Sequence, residues 1–327
     1  MTTTRRKFLT TSALGGAAAL AAPAVHAQST IRWRMQTYAG AALGEFVVKP
    51  AVDMFNAIAG DEMQIDLYYA DQIVPTGELF QALQRGTIDC VQSDDDSMAS
   101  PTEVTVFGGY FPLASRYSLD VPALFNNWGL NEIWGEAYAA VGVKHISAGS
   151  WDPCHFITSS PITSLADLQG KRVFTFPTAG RFLSQFGVVP VTVPWEDVEI
   201  ALQTREIDGV AWCGATEAYT VGWADVTSHF LTNNISGAWI GHFFSNMDRW
   251  NELSPKLQNL VATCFEQSHY YRQHWYWAGE ARYRTEGTKL ELTAIPDAEW
   301  ATVETAARTF WDEIGAESET KARVVQI

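Results

Sequence analysis

The sequence predicts an α/β clamshell: two similar lobes with mainly parallel sheets, meeting at a cleft and braced by one long helix. Three observations predict it. The pattern Ala-Leu-Gln-x-x-x-Ile-Asp occurs twice, at Ala82-Leu83-Gln84 with Ile88-Asp89 and, 119 positions on, at Ala201-Leu202-Gln203 with Ile207-Asp208. Around each copy the order strand, helix, strand recurs, which implies parallel pairing. Past the second copy, helical apolar spacing runs on for about 32 residues, roughly 48 Å of helix and long enough to touch both lobes.

The elements follow in order. Ile31–Thr37 reads as a strand that ends at Tyr38-Ala39-Gly40, and a helix follows from Gly44 to Ala59 with Phe46, Val47, Ala51, Phe55 and Ile58 on one stripe. Gln64–Tyr69 alternates as a strand. Thr76–Arg85 is a helix stopped by Gly86, and Ile88–Gln92 is a strand running into Ser93-Asp94-Asp95-Asp96. The second lobe begins near Val143–Ser147. It continues with a short helix and turn at 165–170, a strand at Lys171–Phe176, a helix at Gly180–Phe186 and a strand at Val188–Val193. The second copy's helix and strand, Trp195–Thr204 and Ile207–Trp212, complete it. The chain crosses back near Trp239–Phe244. Ser254 with Pro255 behind it is a helix start, and Leu257, Leu260, Val261, Cys264, Phe265 and Ser268 set the spacing of the long helix. Glu299–Ile314 makes a last amphipathic helix. The expected division is residues 1–27 as a leader, 28–150 with 243–327 as the first lobe including the helix at about 254–286, and 151–242 as the second.

The leader is read from Arg5-Arg6-Lys7-Phe8-Leu9, a twin-arginine export signature, followed by a Gly/Ala-rich apolar run over 13–24 and the small-residue cleavage site Val25-His26-Ala27. The expected address is the periplasm. Taking the leader's three basic residues from the formal charge of −15 leaves −18, which argues against nucleic acid and anionic lipid as partners. Cys90, Cys154, Cys213 and Cys264 lie far apart with no Cys-x-x-Cys pair. One bridge between Cys154 and Cys213 and four free thiols are both open readings.

In open α/β sheets, ligands sit beyond the carboxyl ends of the strands. The repeat therefore nominates Asp94, Asp95 and Asp96 from the first lobe and Trp212 and Glu217 from the second. Tyr38, Trp151, Asp152, Phe174 and Trp239 fall near the same cleft or the crossings, and Arg181 starts the helix after Phe174. For each acid the alternative is a helix cap or a solvated surface residue, and for each tryptophan a place in the core.

The chain resembles the solute-binding subunit of tripartite ATP-independent periplasmic (TRAP) transporters, in the dicarboxylate and 2-oxo-acid receptor-like group. The resemblance rests on Leu168-Gln169-Gly170-Lys171-Arg172-Val173, Phe186-Gly187-Val188-Val189-Pro190, Glu196-Asp197-Val198, Ala201-Leu202-Gln203 and Glu206-Ile207-Asp208-Gly209, with Thr76-Gly77-Glu78 in the first lobe. It implies a periplasmic-binding-protein fold, a small-molecule solute held between the lobes, delivery to membrane permease subunits driven by a sodium gradient, no cofactor, and a monomer or homodimer. The family usually anchors a ligand carboxylate with an arginine on the strand after the Gly-x-Lys turn. Here Phe174 stands at that place, and Arg181 is the nearest arginine. Relatives that bind 2-oxo acids with a metal carry a glutamate before an aromatic on the second repeat strand. Here the pair is Ala211-Trp212, so no metal is expected. A cleft position often filled by glutamine falls in Trp151-Asp152-Pro153.

Acids and aromatics without an arginine among them make the chemistry of a cation cage, so the expected ligand carries an amine or is a hydroxylated neutral solute. The alternative is a small organic acid bound through Arg181. The competing class is an exported enzyme. It finds no support in Cys-x-x-Cys-His, His-Glu-x-x-His or Gly-x-Ser-x-Gly, none of which occurs. A receptor that feeds a sensor kinase shares the same fold and cleft.

Overall fold

The computed structural model describes residues 30–327, so the expected leader lies outside the described residues. The chain runs β1 (Ile31–Thr37), α1 (Ala41–Val47), α2 (Lys49–Ala59), β2 (Met63–Tyr68), α3 (Leu79–Gln84), β3 (Cys90–Ser93), α4 (Asp120–Asn126), α5 (Leu130–Ala139) and β4 (Val143–Ser150). It continues with β5 (Phe156–Thr158), β6 (Arg172–Thr175), α6 (Pro177–Leu183), β7 (Val189–Val191), α7 (Val198–Gln203), β8 (Gly209–Ala211), α8 (Ala215–Thr220), α9 (Trp223–Val226) and β9 (His229–Leu231). It closes with β10 (Ile240–Asn246), α10 (Met247–Asn251), α11 (Pro255–Glu286), β11 (Glu291–Thr293), α12 (Asp297–Gly315) and α13 (Glu319–Gln326).

Two sheets form, one per lobe, in the orders β2-β1-β3-β10-β4 and β11-β9-β5-β8-β6-β7. Each is mainly parallel with one reversed strand. In the first, β10 runs against β3 and β4 while β1 pairs parallel with β2 and β3. In the second, β5 runs against β8 and β9 while β6 pairs parallel with β7 and β8. The reversed strands are those the chain enters after crossing between lobes. The segment 287–295, expected in the first lobe, supplies β11 to the second sheet, where it pairs with β9. It does so because α11 carries the chain back along both lobes.

The repeat is wired identically in both copies. Arg34 of β1 donates its backbone N–H to Asp89 Oδ2 at 2.8 Å, and its guanidinium to Gly86 O. Arg172 of β6 does the same to Asp208 Oδ2 at 2.9 Å and to Arg205 O. The turn before each aspartate needs a left-handed residue: Gly86 has φ +73° and Arg205, at the matching position, φ +62°. The likeness extends upstream of the motif. Pro75 and Pro194 share one backbone conformation, and each opens a 3-10 turn leading into α3 or α7.

One helix differs from expectation, and one open reading is resolved. The helix predicted over 44–59 is broken at Val48 into α1 and α2, because Pro50 opens a new helix and has no N–H for the old one. The four cysteines are buried and free.

Asp89 is buried, and besides Arg34 it meets Arg249 at 3.1 Å. Its loss strands a buried backbone N–H, so Asp89→Ala is expected to lower stability by about 2–3 kcal/mol in urea unfolding. Asp208 is one-third exposed, and Asp208→Ala is expected to cost roughly 1 kcal/mol. Equal, negligible losses contradict the structural role of the repeat.

Candidate functional site

The two crossings between lobes pair with each other as a narrow ribbon. Trp151 N–H donates to Trp239 O at 2.9 Å, Trp239 N–H to Asp152 O at 3.0 Å, and Cys154 N–H to Ser236 O at 2.9 Å. Trp151 and Trp239 stack across this ribbon with centroids 4.4 Å apart. Tyr38, just past the carboxyl end of β1, sets its ring edge against both, at 5.7 and 5.4 Å. From the second lobe, the end of β6 aims Phe174 and Phe176 toward one side, since alternate strand residues share a face. Trp212 lies on both rings, at 4.9 and 3.7 Å. Trp195 closes the box from the second lobe, 5.5 Å from Tyr38. A cavity of about 400 Å³ lies between the lobes, lined by Tyr38, Asp96, Phe174, Phe176, Trp195 and Trp212 and rimmed by Thr76-Gly77 and Thr192–Pro194. At the rim Glu196 of the second lobe packs so closely on Gly40 of the first that a Cβ there collides with its carboxyl.

Behind the aromatic wall lie the acids. Asp152 Oδ2 accepts the N–H groups of Gly214 and Glu217 at 2.9 and 3.1 Å, and Glu280 of α11 accepts Thr216 N–H at 2.8 Å. The start of α8 is thereby fixed to both the ribbon and the bracing helix, which places Glu217. Glu217 is wholly buried, and its Oε2 accepts from Tyr276 OH at 3.0 Å. Burial pushes the Glu217 carboxyl up to about 8, against a smaller opposing pull from Tyr276 and the nearby indole N–H groups of Trp239 and Trp212. Burial likewise pushes Asp94 up to about 6, and raises Asp96 and Asp152 well above the usual range, the last helped by Glu280 and Glu217. Tyr38 OH, Asp94 Oδ2, Asp96 Oδ2, Glu217 Oε1, Trp212 Nε1 and Trp239 Nε1 are all buried without a hydrogen-bond partner. Buried polar atoms in native proteins are nearly always paired, so this concentration makes the region the candidate site for a polar solute.

Of the residues the sequence nominated, Tyr38, Asp96, Phe174 and Trp212 line the cavity, and Asp94, Trp151, Glu217 and Trp239 stand directly behind it. Asp152 is a positioning residue that caps α8. Two nominations are corrected. Arg181 lies on the outer surface, half-exposed, bonded to Glu317 at 3.4 Å and stacked over Phe310, because α6 turns that face to α12. Asp95 points into the first lobe's core, where Tyr138 and Trp134 donate to it and His242 Nε2 lies at 3.0 Å. Sequence reasoning missed Phe176, Trp195, Tyr276 and Arg272. The first shares Phe174's strand face, and the second sits 119 positions after Thr76, so extending the repeat upstream finds it. Among the described residues, no group of three His, Cys, Asp or Glu side chains is placed to hold a metal ion. No described helix is long and apolar enough to cross a membrane.

A two-lobed α/β fold with an aromatic, acid-backed cleft defines a solute receptor. The profile of bacterial extracellular solute-binding protein family 7 (DctP) matches residues 39–318, and the chain belongs to that family, the TRAP solute-binding proteins. Receptors of this family are extracytoplasmic, bind small organic solutes and work with membrane permease subunits. Among solved structures, a TRAP periplasmic solute binding protein from Chromohalobacter salexigens with bound (S)-(+)-2-amino-1-propanol is 75% identical. It superposes with a TM-score of 0.89 over 91% of this chain and 94% of that one. A monocarboxylate 2-oxoacid-binding periplasmic protein from Nostoc is 25% identical, with 80% of this chain and 73% of that protein aligned. The ectoine/5-hydroxyectoine-binding periplasmic protein UehA from Ruegeria pomeroyi is 23% identical, with 80% and 77% aligned.

The raised carboxyls fix the sign of a pH effect. Glu217 holds its proton more tightly folded than unfolded. Between its ordinary 4.5 and about 8, the folded chain therefore binds more protons, and stability falls as pH rises. Calorimetry of the ligand-free protein is expected to show a melting temperature that declines across this window. The decline should flatten in Glu217→Gln; identical slopes in the two proteins contradict the assignment.

Proposed function

We propose that this receptor binds a small primary amine carrying a hydroxyl group, and passes it to a sodium-driven TRAP permease. The observation that carries the reading is the buried Glu217 carboxyl amid Trp212, Trp239 and Tyr276, with a second acid, Asp94, contributed by the other lobe. An ammonium meeting both acids bridges the lobes. Aromatic faces add roughly 0.5–2 kcal/mol of cation–π attraction, and charge-assisted hydrogen bonds add more. The aminopropanol bound by the Chromohalobacter relative supports the same chemistry. An organic acid meets the opposite field: Phe174 offers no charge where the resemblance expects arginine, and Arg181 faces away from the cleft. The solute favours closure only to the extent that it prefers the closed state, in which it meets groups of both lobes at once.

Thermal-shift and calorimetric titration with (S)-2-amino-1-propanol and with pyruvate test this reading. Stabilisation by the amine, reduced at least about thirtyfold in affinity by Glu217→Gln, is expected. Stabilisation by pyruvate alone contradicts it. Because Glu217 keeps its proton up to about 8 in the free protein, amine binding at pH 7 is expected to release a proton. The binding heat should then change with the buffer's ionisation enthalpy. A buffer-independent heat contradicts the ion pair.

A further inference from the structure

Arg272 of α11 is wholly buried, yet no carboxylate lies within ion-pair distance of it among the described residues. Its donors are spent locally: Nε to Val47 O at 3.0 Å, and the two terminal nitrogens to His269 Nδ1 at 2.8 Å and Ser268 Oγ at 3.2 Å. The guanidinium carbon lies 4.0 Å from the ring centroid of Trp151, and Trp151 stacks in turn on Trp239. A cation is thus fixed behind the tryptophan pair, while Glu217 lies behind the second lobe's part of the wall, tied to Tyr276. Tyr38 touches both tryptophans and feels Glu217, Asp94 and Arg272 together. Arg272 packs on the first-lobe side of the tryptophan pair, against Val47 and Phe243, and Glu217 is carried by α8 of the second lobe, so the two charges reach the box from different lobes.

Resting on the ammonium reading, we propose that Arg272 is a positioning residue that makes the site selective for a monocation with a neutral polar tail. It holds Trp151 flat, and it sets a positive field on the first-lobe side of the box, across from the helix that carries Glu217. A hydroxyl tolerates that side, whereas a second ammonium is repelled through the stacked rings. At a low effective dielectric, a like charge on the order of 10 Å away weakens binding by about tenfold. Selectivity against diamines is thereby built in without any residue that touches the second amine, an instance of specificity by repulsion.

The test compares propanolamine, one charge at pH 7, with trimethylenediamine, two charges, by calorimetric titration of the full chain. The wild-type protein is expected to bind propanolamine about tenfold more tightly. Arg272→Met, which keeps the stacked alkyl bulk without charge, is expected to shrink that ratio severalfold. Arg272→Lys is expected to keep the ratio even where it weakens both ligands. Loss of packing alone weakens both ligands alike and leaves the ratio unmoved. A folded Arg272→Met protein with the wild-type ratio overturns the proposal, as does a folded Arg272→Lys protein that no longer discriminates. If the methionine variant does not fold, a wild-type protein that binds both ligands equally still overturns it. A wild-type protein that binds neither these amines nor (S)-2-amino-1-propanol overturns the ammonium reading and this inference with it. Binding of the amino alcohols with no discrimination against the diamine overturns this inference alone.

Discussion

Glu217 is buried completely among Tyr276, Trp212 and Trp239, and a carboxyl so placed has two ways to escape the cost of an unpaired charge. It keeps its proton, or it meets a cation. The rest of the site is arranged around that choice. Asp152 Oδ2 and Glu280 Oε1 accept the first N–H groups of α8 and so fix the turn that carries Glu217. The aromatic wall in front keeps water out, which both raises the carboxyl and strengthens any ion pair made there. Three indole or phenol groups beside the carboxyl favour its ionised form without supplying the opposite charge. In the proposed reading the solute supplies that charge.

The fold explains how such a group can open and close. The two crossings between lobes are bonded to each other through Trp151, Asp152 and Trp239, so the site's floor is the hinge itself. The walls belong to the separate lobes: Tyr38 and the acids after β3 to one, Phe174, Phe176, Trp195 and Trp212 to the other. α11 runs across both and bonds Arg272 to Val47 of the first lobe, and Tyr276 and Glu280 to Glu217 and Thr216 of the second. A motion that parts Tyr38 from Trp195 opens the cleft without disturbing the ribbon. The contacts that change are those at the rim, such as Glu196 on Gly40.

Much of this was legible in the sequence, for local reasons. The Ile-Asp of each repeat ends a helical stripe and supplies a carboxylate to a neighbouring strand's backbone, so the pattern recurs where the geometry recurs. It led to strand ends, and from there to Asp94, Asp96, Trp212 and Glu217, which the structure gathers at or behind the cavity. Trp195 was legible as the start of the second copy's helix, opposite Thr76, but a residue that opens a helix gives no sign from sequence that it faces a cleft. Asp95 and Arg181 failed for a different reason. Three successive acids in a turn point three ways, and the middle one found Tyr138. A residue on the last turn of α6 faces whichever element covers it, here α12 from far along the chain. Tyr276 and Arg272 were hidden in a helix that touches both lobes and so shows no single apolar stripe. The strand β11 escaped because three residues with no clear alternation carry no periodic signal.

The central claim is that Glu217 holds a proton in the free receptor and gives it up to an ammonium. Isotope-edited carbon NMR of the Glu217 side-chain carboxyl, followed against pH, reads this directly. The account predicts a free-protein titration near 8, and, with saturating (S)-2-amino-1-propanol, a carboxylate that stays ionised through neutral pH. A free-protein titration near 4.5, the ordinary value for the group, or a curve that the amine leaves unmoved, contradicts it.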